Sequence, residues 1–95
     1  SRAEVDRVRL AVRSRLAPAL THYETSLRFV EDFREKVLPA AARAYELSLN
    51  AYRLNAESFD QVLTAQRTFF QAQGDYLDAL EEVHVVVAQI GGFLQ

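Results

Sequence analysis

The sequence has no cysteine, no methionine and no tryptophan, and only 3 Gly and 2 Pro in 95 residues. Without cysteine there is no disulfide, no thiolate metal site and no cysteine nucleophile. With so few turn formers an all-β domain is excluded, because it needs a turn about every ten residues. Long apolar runs are missing too. The longest candidate, Val83 to Ile90, is interrupted by His84 and Gln89 and falls far short of the ~20 residues that span a bilayer. The first residues, Ser1-Arg2-Ala3-Glu4, lack the apolar stretch of a signal peptide. If the parent protein is exported, the expectation is that these residues are an internal piece of it. No Gly-rich phosphate loop, no HExxH and no Ser/His/Asp order in a strand-turn context is present. The expectation is therefore a protein without enzymatic activity, cofactor or bound metal.

What remains is 49% hydrophobic and 25% charged, with 11 Lys+Arg against 13 Asp+Glu. High charge with little Gly and Pro points to long helices. The clearest break is Leu54-Asn55-Ala56-Glu57-Ser58. Asn tolerates the left-handed position just after a helix. Ser58 with Gln61 makes a capping box, in which the hydroxyl accepts from the Gln61 N–H. Glu57 and Asp60 place negative charge at the positive end of the second helix dipole. A stop followed at once by a start predicts an αα-hairpin. Arm one spans about 2–54, the tip 55–58 and arm two about 59–91, with Gly91-Gly92 at its end.

Arm two carries Phe59, Val62, Gln66, Phe69, Gln73, Tyr76, Leu80, Val83, Val87, Ile90 and Leu94 at alternating steps of three and four, a heptad seam. Leu63, Phe70 and Leu77 widen it. Gln66 and Gln73 leave two readings open. Buried polar residues set the register of a coiled coil, or this face lines water in a hollow assembly. Gly74 lies inside the arm, where it allows close approach of a neighbouring helix. Arm one shows a stripe through Val5, Val8, Val12, Leu16, Leu20, Tyr23, Leu27, Val30, Val37, Ala41, Ala44, Ser48 and Tyr52. Tyr45 falls off that stripe and marks a second face. Pro39 is read as a kink in a continuous helix. Pro18 either kinks or breaks it, since Thr21-x-x-Glu24 offers a restart. The fold class expected is all-α: a long antiparallel hairpin of coiled-coil type.

Folding at the tip pairs positions whose numbers sum to roughly 113. Gln95 then lies near Pro18, and residues 1–17 have no partner in the chain although Val5, Val8, Val12 and Leu16 make an apolar stripe there. An unmatched stripe predicts self-association. Charge is uneven as well. Residues 1–17 carry Arg2, Arg7, Arg9, Arg13 and Arg15 against Glu4 and Asp6, whereas residues 59–95 carry only Arg67 against Asp60, Asp75, Asp78, Glu81 and Glu82. The arginines are interleaved with apolar residues at helical spacing, so they read as a solvated helix face and not as a nucleic-acid surface. The register sets His22 opposite position 91, ~10 Å from His84 and too far to share an ion. Glu31-Asp32 falls roughly opposite Glu81-Glu82, and the solvated reading is preferred to a weak cation site.

An ordered set of residues resembles a known family. It comprises Ala44, Tyr52-Arg53-Leu54-Asn55, Ser58-Phe59, Val62-Leu63, Ala65-Gln66, Ala72, Tyr76-Leu77, Ala79-Leu80 and Gly91-Gly92. It is similar to the pattern of the TolC-like outer membrane efflux proteins. Leu38-Pro39 and Tyr76-Leu77-Asp78-Ala79-Leu80 with His84 look most like the heavy-metal (cobalt-zinc-cadmium) branch. The resemblance implies a homotrimer whose outer-membrane β-barrel continues into a periplasmic helical tunnel. It further implies that the chain is the second of two hairpins per protomer. A periplasmic adaptor, coupled to an inner-membrane pump, is implied to meet the tip residues Leu54, Asn55, Ala56, Glu57 and Ser58. Gln61, Gln66 and Gln73 are implied candidates to face the lumen through which small molecules or metal cations pass. The family's tip glycine is Asn55 here, and Gln61 and Thr64 stand where relatives often carry acidic residues, so an acid-lined gate is not expected. The reading from another class is a stand-alone hairpin module for protein–protein interaction.

Overall fold

The computed structural model describes residues 1–94; the place expected for Gln95 lies outside them. The described residues are all-α, 93% helical and without a strand. Helix α1 is Arg2–Asp32, a π-helical turn covers Phe33–Val37, α2 is Leu38–Arg53 and α3 is Phe59–Phe93. The first three follow one another without a gap and form one arm, which runs antiparallel to α3. The molecule measures 79 × 15 × 14 Å, with a radius of gyration of 21.7 Å. A compact chain of this length would have a radius near 12 Å.

The helical runs of 31, 5 and 16 residues in the first arm make ~78 Å of helix at 1.5 Å per residue. That nearly equals the long dimension, so neither proline folds the arm sharply. Pro18 sits inside α1 and the break offered by Thr21-x-x-Glu24 does not form. Thr21 instead donates its hydroxyl back to the Ala17 carbonyl at 3.1 Å. Ser14, whose carbonyl loses its intrahelical donor to Pro18, is exposed, so water can satisfy it.

At Pro39 the irregularity takes another form. The π turn stands just before it, and the Leu38 N–H bonds to the Phe33 carbonyl five residues back. A π turn holds one more residue than an α turn. The arm-one residues that are at least half-buried show the consequence. They run Leu16, Ala19, Tyr23, Ser26, Leu27, Val30 and Phe33, then jump five places to Leu38, and resume with Ala41, Ala42, Tyr45, Ser48, Leu49 and Ala51. Beyond the jump the covered face takes Leu38 for Val37 and Tyr45 for Ala44, while Ala41 and Ser48 stay on it as expected. Tyr45 therefore belongs to the seam and not to a second face, with its ring 6.1 Å from Phe69. Val37 and Ala44 are exposed instead.

The register also changes along the hairpin, by more than one extra residue can supply. Near the tip Tyr52 stacks by Phe59 at 5.4 Å, as a sum near 113 requires. Farther out His22 meets Glu82, Nε2 to Oε1 at 3.1 Å, and not position 91. Glu31-Asp32 consequently does not face Glu81-Glu82. Among the described residues no three His, Asp or Glu side chains group to hold a metal.

In arm two the seam follows Val62, Ala65/Gln66, Phe69, Ala72, Tyr76, Ala79/Leu80, Val83, Val86, Ile90 and Phe93. After Phe69 it alternates with the expected one, taking Ala72 for Gln73, Val86 for Val87 and Phe93 for Leu94. Val86 is 0% exposed and Val87 49%. The helix continues through Gly91-Gly92 to Phe93, where an end was expected. A Cβ added at Gly74 would meet nothing within 4 Å, so packing within this chain does not require that glycine. The start of α1 projects past the end of α3, and residues 2–15 are exposed throughout, which leaves Val5, Val8 and Val12 uncovered.

Candidate functional site

The tip is built from the end of α2. Leu54 leaves helical geometry (φ −91°, ψ 7°), and Asn55 follows at φ 61°. The Ala56 N–H reaches the Ala51 carbonyl at 2.8 Å and the Asn55 N–H reaches that of Tyr52 at 2.9 Å. This 6→1 and 5→2 pair is a Schellman motif, which satisfies carbonyls that a helix end otherwise leaves open. It needs a left-handed residue at Asn55. Most side chains pay ~1–2 kcal/mol for that conformation, while Gly and Asn adopt it readily. Asn55→Ala should therefore lower stability by about 1 kcal/mol, and Asn55→Gly should leave it unchanged or slightly higher. Denaturant melts of the two variants check this.

Ser58 stands at the N-cap of α3 with extended backbone (φ −78°, ψ 160°), but its hydroxyl makes no cap bond. The Gln61 N–H bonds to the Ser58 carbonyl at 3.2 Å. The first turn is closed by main chain, so the expected capping box is absent. The five residues Leu54, Asn55, Ala56, Glu57 and Ser58 are all exposed, and Leu54 is 79% accessible. The tip thus presents an apolar side chain beside Glu57 and Asp60.

The glutamines do not act as one set. At 100° per residue Gln66 and Gln73 lie within ~20° of each other, and Gln61 lies ~120–140° away from them. Gln66 is half-buried against arm one, while Gln61 and Gln73 are exposed. Gln73 therefore cannot set register from inside the hairpin seam. Thr64, at a position where relatives of the resembled family carry acids, turns its hydroxyl back to the Asp60 carbonyl at 3.0 Å.

A further feature was not legible in the spacing. An open groove between α1 and α3 is lined by Thr25, Ser26, Phe29 and Phe33 on one arm and by Ala79 with the acids Asp75, Asp78 and Glu82 on the other. The two phenylalanine rings lie 5.2 Å apart. The i, i+4 spacing of Phe29 and Phe33 was a signal, but a register of 113 directs attention to the wrong stretch of arm two. No helix among the described residues is long and apolar enough to cross a membrane. The chain matches no protein-family model, no curated protein and no solved structure.

Proposed function

We propose that the chain is the periplasmic hairpin of a TolC-like efflux duct, a transport component without enzymatic activity. In this reading three copies of the parent protein pack their arms side by side as a tunnel. The tip at Leu54–Ser58 docks a periplasmic adaptor joined to an inner-membrane pump, and the cargo is small molecules or metal cations. The observation that carries the proposal is a coincidence of motif and geometry. The residue that replaces the family's tip glycine, Asn55, is the non-glycine residue that takes positive φ among the described residues. Its turn joins two arms in a molecule 79 Å long. The exposed, partly apolar tip supports docking by its end, and the exposed Gln73 suits a wet lumen. The π turn beside Pro39 is where the first arm would bend to follow a tapering tube.

Sequencing the parent gene on both sides of these residues tests the proposal. A signal peptide, amphipathic barrel strands and a second similar hairpin upstream are expected. A parent lacking all three would sink the efflux reading and leave a hairpin module for protein–protein interaction.

A further inference from the structure

The described residues expose 7462 Å², whereas a compact monomer of 10.8 kDa exposes about 5,500 Å². The excess is about 1,900 Å² per chain, more than the roughly 800 Å² that each partner loses in a standard protein–protein interface. Two parts of it complement each other. One is the α1 overhang, a single helix with Val5, Val8 and Val12 exposed along one face. The other is the groove lined by Phe29, Phe33 and Ala79 with the acids Asp75, Asp78 and Glu82 on its α3 side. We infer that the occupant of this groove is the overhang of a second copy of the chain, in a two-fold, antiparallel dimer.

Charge and handedness choose the orientation. At 100° per residue, Arg2, Asp6, Arg9 and Arg13 form one row on the flank of the valine stripe; Asp6, Arg9 and Arg13 line one shallow surface. Asp6 is the acidic member of that row, and the arginines outnumber it. With the valines facing the groove there are two ways to lay the helix down. Running parallel to the partner's α1, the arginine row turns toward that α1. Running antiparallel to it, the row turns toward α3 and its three acids. The second places the row of three arginines beside the three acids.

The antiparallel arrangement also closes. With Val8 over Phe29 of the partner subunit, the two-fold axis falls near Pro18. Each overhang then covers the other copy's groove, as a self-complementary interface demands. At one offset Arg9 meets the partner's Asp78 and Arg13 meets the partner's Glu82. Each overhang thereby becomes the third helix of a bundle whose other two are the partner's arms, the usual way an amphipathic helix loses an exposed face. This interface is independent of the efflux reading. A tunnel of parallel copies would pack other faces, and either proposal can fail without the other.

Sedimentation equilibrium of the 95-residue chain tests it. A dimer is expected at about 0.15 M salt, weakening as salt rises and the screening length shrinks from ~8 Å to ~3 Å. Arg9→Glu with Arg13→Glu should weaken the dimer at least about tenfold, and Asp78→Arg with Glu82→Arg should do the same. The four changes together should restore the original affinity to within about threefold. Mixing Arg9→Cys and Asp78→Cys chains under mild oxidation should trap a covalent dimer, which covers the case in which a reversed variant fails to fold. A monomer at every concentration, a self-associated state indifferent to the reversals, no recovery in the fourfold variant, or no trapped dimer would each overturn the inference.

Discussion

Val86→Asp should unfold the hairpin in dilute solution, while Val87→Asp should leave it standing. Val86 is fully covered and is one of only four buried apolar residues among those described, with Val30, Val62 and Ala72. A carboxylate placed there is taken out of water. Breaking such packing with an unpaired charge costs about 3–5 kcal/mol. A two-layer hairpin of this size has little to spare. Most of the helical circular dichroism at 222 nm should be lost at 25 °C. Val87 is half-exposed beside Leu20, Tyr23 and Ile90, so its aspartate can reach water, at a cost of about 1 kcal/mol or less. The opposite order of the two variants would put the seam back on Val87, where the bare heptad repeat sets it.

The second large effect concerns the first arm. Deleting Glu35 together with Pro39→Ala should stabilise the hairpin by about 3 kcal/mol. The deletion removes the residue that the π turn accommodates, so the step from Phe33 to Leu38 becomes an ordinary step of four. Both halves of the arm then keep their faces. The proline replacement restores a backbone donor and removes a ring from a helix interior, worth about 3 kcal/mol. With Pro39→Ala kept and the deletion moved to Arg43, the outcome should reverse. No spare residue exists there, and the turns around it would rotate by ~100° and pull Tyr45 off Phe69, for a loss of about 2 kcal/mol. Denaturant midpoints at constant slope report both changes. A stabilising Arg43 deletion, or a destabilising Glu35 deletion, would show that the five-residue step is not what sets the register.

These variants mark where sequence and structure part. The two arms, the turn at Asn55 and the bare stripe at Val5, Val8 and Val12 are legible because each rests on local chemistry: period, left-handed tolerance and chain length. The seam beyond the tip is not, for two physical reasons. Faces read from a sequence assume uninterrupted α geometry, and the π turn breaks that assumption from a distance. Pro39 announces that the ladder must change, but not that it changes by one residue at Phe33–Val37. Arm two, in turn, offers equivalent apolar neighbours. Between Val83 and Ile90, steps of three and four pass through Val86 as well as through the Val87 of the expected seam; only the partner arm's register selects Val86. The same ambiguity joins Ala72 to Gln73 and Phe93 to Leu94. The candidate site divides likewise. The exposed tip follows from its sequence, whereas the Phe29–Phe33 groove depends on which acids of α3 arrive beside it.

The absence of cysteine makes the hairpin itself directly measurable. Spin labels attached through Glu24→Cys and Glu81→Cys stand on exposed positions of opposite arms and are the only thiols in the chain. Pulsed dipolar spectroscopy on labelled protein diluted into excess unlabelled chain reads the distance within one molecule. A hairpin closed at Asn55 gives a single distance under about 35 Å, two helix diameters plus the label linkers. A chain opened at Asn55 into one continuous helix places the labels ~85 Å apart at 1.5 Å per residue, and loss of the short distance would contradict the fold on which the tip, the groove and the proposed duct all depend.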